Sequence, residues 1–248
     1  MANRRTRIGL WALQIGGIGA IAALGGIGLI QAGAIPPMGG FALFALGTVV
    51  AGLSATLLGL LGWVAARRDF ESGRRRQALA GIVVGAALLG AVFYAGRDGQ
   101  GLPRINDIAT DVTNPPAFHP DTVRTDPAGR DMTYPDGFAE QVRGAYPDLA
   151  PLDLAVAPSE AFALALGTAR AQGWQITHQS EPLGSFDATD TTRIFRFVDD
   201  ITVRVLPQGE GSRIDVRSKS RDGRGDLGAN ANRIRVYTAE LREQAGNS

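Results

Sequence analysis

The residues best placed to do chemistry form a row of alternating charges near the C-terminus. Residues 213–221 read RIDVRSKSR, and alternate residues of a β-strand share a face. One face would carry Arg213, Asp215, Arg217, Lys219 and Arg221, while Ile214 and Val216 point into the core. Guanidinium forks match carboxylates and phosphates, so the row predicts an anion-binding site at Arg217, Lys219 and Arg221. The alternative is a solvated face with cross-strand ion pairs to neighbours such as Asp199, Asp200 or Arg204.

The segment after this row has the glycine spacing of a phosphate-binding loop. Residues 223–228 read GRGDLG and precede a predicted helix. A dinucleotide site would also need a second parallel strand and a ribose-binding acid, for which residues 231–248 leave no room. We therefore interpret the segment as a tight turn with Asp226 near a helix N-terminus. Arg224, Asp226 and Asn230 complete the predicted set of anion contacts.

Other candidate groups favour structural interpretations. The acidic pairs Asp199-Asp200 and Asp187-x2-Asp190 could serve acid–base chemistry or hold a cation, but acids are common in turns between strands. The chain has no cysteine, which excludes thiolate nucleophiles and iron–sulfur clusters. Its two histidines, His119 and His178, are far apart in sequence. We accordingly expect no metal and no cofactor.

Charge divides the chain into two parts. Residues 1–96 hold 8 of the 25 basic residues and 2 of the 24 acidic ones. Residues 97–248 are net acidic, which argues against a nucleic-acid partner. No charged residue occurs between Ile8 and Ala66, and the prolines at 36 and 37 interrupt this apolar stretch. With a third apolar run, the pattern predicts transmembrane helices over about 8–30, 41–66 and 77–96.

The arginines predict how these helices are oriented. The basic residues of this part precede the first span or lie between the second and third: Arg4, Arg5, Arg7, Arg67, Arg68, Arg74, Arg75 and Arg76. The positive-inside rule then places the N-terminus in the cytoplasm and residues 97–248 outside it. A cleaved signal peptide ending at Ala34 is the alternative for the first span, and it leaves residues 97–248 on the same side.

The remaining chain predicts an extended arm followed by an α+β domain. Residues 97–151 contain eight prolines, which favours an extended, proline-rich arm laid along the domain that follows, with spaced apolar anchors at Phe118, Tyr134, Phe138 and Tyr146. Residues 152–248 predict the order strand, helix, four strands, helix, with strands near 152–156, 174–179, 189–197, 200–206 and 212–221 and helices near 158–172 and 229–244. The expected fold is a membrane-anchored α+β protein: three transmembrane helices, then an extracytoplasmic antiparallel sheet packed with helices.

Several stretches resemble a bacterial family known only as domain of unknown function 1499. They include NDIATD at 106–111, FVDDITVR at 197–204 and DVRSKSRDGRGDLGAN at 215–230. The resemblance covers roughly residues 104–244. Members often carry apolar N-terminal spans, and the family implies no activity, cofactor or catalytic residue. Its most recognisable stretch falls on the same cationic segment, residues 217–230.

These observations favour a non-enzymatic binding or interaction domain on the outer face of a bacterial inner membrane, with a role in envelope maintenance. Its partners would be the lipid bilayer and an envelope protein or an anionic ligand or lipid. Replacing Arg217 and Arg221 by Ala would then abolish function without unfolding the domain. The second hypothesis is a small-ligand or lipid binder with a pocket between sheet and helices, and the third is a hydrolytic enzyme.

Overall fold

The computed structural model of the chain describes residues 8–66, 73–126 and 128–246. These residues divide into two compact units. The first unit contains the N-terminal helices and Arg193–Arg196, and the second begins at Gly99 and contains the rest. Some of the arginines that predict the orientation lie outside the described residues: Arg4, Arg5, Arg7, Arg67 and Arg68.

Three long helices make up most of the first unit: α1 (Ile8–Gln31), α2 (Pro37–Ala65) and α3 (Gly73–Gly96). All three contain a stretch long and apolar enough to cross a membrane, of 24, 29 and 22 residues respectively. The predicted break at the two prolines is confirmed. Helix α2 begins at Pro37, about four residues earlier than expected, because proline is tolerated in a first helical turn.

The helices pack through their small residues and turn their large apolar side chains outward. Gly19 of α1 lies so close to Gly47 and Ala51 of α2 that a side chain there would clash with both. Gly85 of α3 lies equally close to Gly52. The exposed side chains include Ile18, Ile21, Leu24, Leu57 and Val83. Small residues inside and large apolar residues outside are the pattern of helices packed within lipid.

The second unit is built on one antiparallel sheet. Its strands are β1 (Asp107–Ala109), β2 (Leu152–Leu154), β3 (Gln175–Ser180), β4 (Ser185–Thr191), β5 (Val198–Gln208) and β6 (Gly211–Ser220). Its helices are α4 (Pro120–Arg124), α5 (Phe138–Ala145), α6 (Pro158–Ala171) and α7 (Ala229–Gly246). The strand order is β1-β6-β5-β4-β3, and β2 pairs with β6 on the same edge as β1. The predicted antiparallel sheet with helices is therefore present.

One face of this sheet is apolar and is covered by α6 and α7. The central strands β5 and β6 turn Ile201, Val203, Ile214 and Val216 to this side, and all four are buried. Tyr237 of α7 is fully buried and stacks on Trp174, with ring centroids 4.6 Å apart. Its hydroxyl donates to the carbonyl of Ala165 at 2.8 Å, so the polar end of the ring is satisfied within the core. Buried side chains thus occupy the region between sheet and helices, where the second hypothesis put a pocket.

The other face of the sheet is polar and is covered by part of the proline-rich stretch, residues 111–126 and 128–134. The whole stretch 97–151 was expected to be extended, but it contains strand β1 and the short helices α4 and α5. Strand β1 pairs with β6 through Asp107↔Lys219, Ile108↔Ser218 and Ala109↔Arg217. Helix α4 forms because Pro120 suits a first helical turn and the His119 ring accepts a hydrogen bond from the second residue of that turn. Residues 111–126 and 128–134 therefore form a docked layer on this face of the second unit, while β1 extends the sheet.

One strand differs from its predicted position. Residues 189–197 were expected to form a strand, whereas β4 ends at Thr191. The backbone N–H of Thr192 donates to the carbonyl of Phe197 at 2.8 Å, and Arg196 has a φ of 55°. A non-glycine residue in this left-handed region marks a turn rather than a strand. The alternation of apolar and polar residues here therefore belongs to the connection between β4 and β5.

Candidate functional site

Arg217 lies at the centre of the polar face and is buried beneath the docked layer, with 2% of its surface exposed. Its Nε and Nη2 atoms donate to the two carboxylate oxygens of Asp107, both at 2.8 Å. Nη1 donates to the carbonyl of Pro116 at 3.1 Å, and Nη2 also donates to that of Met132 at 2.8 Å. Two aromatic rings flank the guanidinium at 5.0 and 5.2 Å, those of Phe118 and Tyr134. Each nitrogen of this guanidinium thus already donates a hydrogen bond inside the fold, instead of being available to an external anion.

Lys219 shares the same carboxylate. Its Nζ donates to Oδ2 of Asp107 at 3.0 Å. Two cations therefore surround one fully buried acid, which leaves a net positive charge inside the second unit. Burial, followed by the negative charge of Asp107, raises the pKa of Tyr134 to about 12. The phenol beside this cluster stays neutral at physiological pH.

Arg221 belongs to a different chain of ion pairs, and it is partly exposed. Its Nη2 lies 2.7 Å from Oδ1 of Asp200, and Oδ2 of the same acid lies 2.9 Å from Nη1 of Arg130. Arg130 also contacts Asp126 at 2.7 Å, and this hydrogen bond lowers the pKa of the Asp126 carboxyl. Asp200 is buried and has two arginine partners.

This chain of ion pairs borders a polar cavity of about 290 Å³. Its walls come from β3, β5, the end of β6 and the docked layer: Asp121, Thr122, Thr125, Asp126, Arg130, Met132, Thr177, His178, Asp200 and Arg221. The walls carry three acids and two arginines. Each of these acids already pairs with an arginine, so the lining is polar with little unpaired charge.

The other predicted contacts lie around the start of α7. Asp226 accepts the backbone N–H groups of Gly228 and Asn230 at 2.9 and 2.8 Å, as an acid at a helix start should. Asn230 is buried, and its Oδ1 accepts from the hydroxyl of Ser218 at 2.6 Å. Arg224 is exposed in the turn, and no ion pair to it is found among the described residues. The turn interpretation of residues 223–228 is thus the one that the structure matches.

The six predicted contacts do not converge on one point. Arg217 and Lys219 meet at Asp107, Arg221 borders the cavity, and the remaining three lie in or after the 223–228 turn. Cross-strand pairs form, as the alternative interpretation expected, between Arg221 and Asp200 and between Arg204 and Asp215. The face is covered rather than solvated, because the docked layer lies over it. Anion binding at these residues stays a prediction.

The acidic pairs noticed in the sequence are separated by strand geometry. Asp199 and Asp200 point to opposite faces of β5 because successive strand residues alternate. Asp199 pairs with Arg233 of α7 at 2.6 Å, on the helix side of the sheet. Asp190 contacts the same arginine at 2.8 Å, while Asp187 faces the docked layer. Neither pair forms two adjacent carboxylates that could share a proton.

The structure instead brings together the two histidines of the chain. The rings of His119 and His178 stack with centroids 3.4 Å apart and an interplanar angle of 13°. Asp121 completes a group in which one possible ligand atom from each residue lies within 4.8 Å of the others. The sequence analysis missed this group because 59 positions separate the histidines and only the docking of α4 beside β3 unites them. The sequence clue was weak: a histidine directly before a proline that could start a helix.

Comparisons with known proteins give a family but no function. A search of the curated proteins finds no match to this chain. One family profile matches residues 107–241, which span the sheet, the docked layer and both long helices of the second unit. The match covers more than half of the chain, so the protein belongs to the family described as "Protein of unknown function (DUF1499)".

Proposed function

We propose that the chain is a multi-pass protein of a bacterial inner membrane, with its N-terminus in the cytoplasm and residues 97–248 on the extracytoplasmic side. Three helices of membrane-spanning length support the anchoring. The distribution of arginines supports the orientation. Positive residues lie before α1, between α2 and α3 and in the first turn of α3, whereas residues 31–40 carry no charge. An odd number of crossings then puts the second unit opposite the N-terminus.

Single cysteines test this orientation cleanly because the chain has no cysteine of its own. Glu210→Cys lies in the exposed turn between β5 and β6, and Gly73→Cys lies at the exposed start of α3. In intact spheroplasts, a membrane-impermeant maleimide should label the first variant and leave the second unlabelled until the membrane is permeabilised. Labelling of Gly73→Cys alone in intact cells would reverse the proposed orientation.

We further propose that the second unit is a non-enzymatic binding domain with a role in envelope maintenance. This proposal rests on the burial and the ion pairs of three acids on the covered face of the sheet. Asp107, Asp200 and Asp215 are buried, and each accepts ion pairs from two cations. A carboxylate oxygen that is occupied by an arginine or lysine donor is not free to accept a proton from a substrate. The arrangement favours a rigid scaffold over an acid–base site.

The contacts available to an anionic ligand are then Arg221 and Arg224. Arg221 is partly exposed at the cavity rim, and Arg224 is exposed in the adjoining turn. Both follow β6 and are separated by two residues, and arginine side chains pair with carboxylate and phosphate groups, so an anionic group of an envelope lipid or protein would bind at one or both of them. Arg217 and Lys219 would act indirectly, by fixing the end of β6 through Asp107.

Native mass spectrometry of the full-length protein, gently extracted from its own membrane, tests the binding role. We expect a reproducible bound anionic lipid or small molecule in the wild type and its loss in the double variant Arg221→Gln/Arg224→Gln. Arg242→Gln, which removes an exposed charge from the far end of α7, should retain the ligand. A bare wild-type chain, or a ligand kept by the double variant, would contradict anion binding at these arginines.

A further inference from the structure

The stacked histidines and Asp121 lie where two separate parts of the second unit meet. His178 lies on β3, and His119 and Asp121 lie at the start of α4. We propose that these three residues bind a divalent transition-metal ion of the zinc type. This site goes beyond the proposed function and does not depend on it, because neither Arg221 nor Arg224 is among its ligands.

The donor set is appropriate for such an ion. Two imidazole nitrogens and one carboxylate oxygen form a common triad for zinc and similar metals, whereas calcium and magnesium prefer oxygen donors alone. The chain has no thiolate to compete, since it contains no cysteine. Within the described part of the chain, this is the group of three histidine or acidic residues whose possible ligand atoms all lie within 4.8 Å of one another.

One nitrogen of the group needs a partner. Nε2 of His178 is buried and has no hydrogen-bond partner among the described residues. A buried polar atom without a partner costs free energy, and a bound metal ion would remove that cost. Nδ1 of His119 accepts the backbone N–H of Asp121 at 3.2 Å and lies 3.7 Å from the Oδ2 of its carboxylate. Because the two rings are stacked with centroids 3.4 Å apart, their in-plane lone pairs lie in nearly parallel planes, and one ring must turn before both can reach the same ion.

The surrounding residues orient the ligands. The carboxylate of Asp187 accepts the backbone N–H of His119 at 2.8 Å, which ties the start of α4 to the sheet. Arg124 donates to Oδ1 of Asp121 at 2.7 Å, which leaves Oδ2 directed toward His119. Outer contacts of this kind fix ligand geometry in metal sites. Asp187 and Arg124 are thus positioning residues.

The distances allow the site to close with small movements. In a tetrahedral site with bonds near 2 Å, two ligand atoms are about 3.3 Å apart. The atoms here are within 4.8 Å, so turning one imidazole out of the stack, with shifts of about an ångström, would bring them to the ion. Helix α4 is five residues long, and the hydrogen bond at its start is the interaction that the metal would displace. The neighbouring polar cavity has room for a water molecule or an exogenous group as fourth ligand.

Metal titration of the full-length protein in detergent tests the site. The protein must carry an affinity tag without histidine, because a histidine tag would itself bind Zn²⁺ and hide the binding by the two histidines of the chain. After treatment with a chelator, Zn²⁺ should bind in a ratio of one per chain by calorimetry. Co²⁺ should give the visible absorption of a four-coordinate site with nitrogen ligands. Zn²⁺ should also protect both histidines from diethylpyrocarbonate, which mass spectrometry can count in the wild type without any substitution.

Three variants remove one ligand each: His119→Ala, Asp121→Asn and His178→Ala. Loss of a residue that only orients a ligand typically weakens metal binding by roughly 10–100-fold. Loss of a direct ligand should weaken Zn²⁺ binding by at least as much. Asp136→Asn, which neutralises an exposed acid outside the cavity, should bind as the wild type does. The proposal would be overturned if the wild type did not bind Zn²⁺ stoichiometrically. It would also be overturned if all three ligand variants bound Zn²⁺ as tightly as the wild type. If a variant fails to fold, the wild-type Co²⁺ spectrum and histidine protection still decide it.

Discussion

Replacing Arg217 with Ala should strongly destabilise the second unit, whereas the same change at Arg221 should not. Both side chains lie on the polar face, and each contacts a buried acid that has a second cationic partner. Asp107 would retain Lys219, and Asp200 would retain Arg130. The two substitutions therefore differ mainly in how deeply the arginine itself is buried.

The expected magnitudes follow from that difference. Arg217 has 2% of its side chain exposed and also donates to the carbonyls of Pro116 and Met132. Removing one partner of a buried ion pair costs about 3–5 kcal/mol, because charge and hydrogen-bonding groups are left unpaired. The remaining contact of Lys219 puts the expected loss near the lower end, at about 3 kcal/mol. Arg221 has 34% of its side chain exposed, so its loss should cost about 1 kcal/mol or less.

Pulse proteolysis across a urea series measures this on the full-length protein in detergent, because cleavage in the second unit reports its unfolded fraction. For an m-value of about 1–3 kcal/mol/M, a loss of 3 kcal/mol lowers the urea midpoint by about 1–3 M. Equal midpoints for Arg217→Ala and wild type would refute the reasoning. They would instead restore the expectation from sequence that this arginine is dispensable for folding.

A double substitution separates the ion pair from the packing around it. In Asp107→Leu/Arg217→Met, both charges disappear and the volume is roughly kept. Such replacements are often neutral or stabilising for buried pairs. Lys219 would lose its partner, but its amine is near enough to the surface to reach water. We expect the double variant to be more stable than Arg217→Ala alone.

Three further outcomes are expected. Gly19→Leu should disrupt the α1–α2 contact, because the new side chain meets Ala51, and thermal aggregation of the detergent-solubilised protein should then begin at a lower temperature. Acid should destabilise the second unit: the pKa of Asp126 is lowered in the folded state, so its stabilising contribution is present above the unfolded value of 3.8 and disappears as pH falls through the folded pKa. Urea midpoints between pH 7 and about pH 3 would reveal this trend. Tyr237→Phe should cost about 1 kcal/mol in the same assay, since the carbonyl of Ala165 loses its buried donor.

Local patterns predicted much of the fold. Uninterrupted apolar stretches predicted three helices of spanning length, because that property depends on composition along one segment. Helix α6 begins at Pro158, the first residue of the predicted helix, and β5 and β6 overlap the strands predicted near 200–206 and 212–221. The alternation in β6 also predicted which side chains share a face. These features depend on residues close together in the chain.

The predicted anion site depended on which segment covers the polar face of the sheet, and local sequence patterns do not contain that information. Alternation placed Arg217, Lys219 and Arg221 on one face but could not indicate what covers that face. A polar face can be solvated or paired with a second charged layer, and the choice is made by a segment about 110 residues away that contains Asp107. The same limit applies to Asp199 and Asp200, which are adjacent in sequence and lie on opposite sides of the sheet.

The sequence by itself determined the apolar anchor, the order of the strands and helices from residue 152 onward, and the charge of each segment. Tertiary structure alone decided which face of the sheet the proline-rich stretch covers, that its Asp107 pairs with two cations, and that His119 meets His178. The physical reason is that hydrophobic runs and turn preferences act over a few residues. Ion pairs and metal-ligand groups join residues that only the folded backbone brings together.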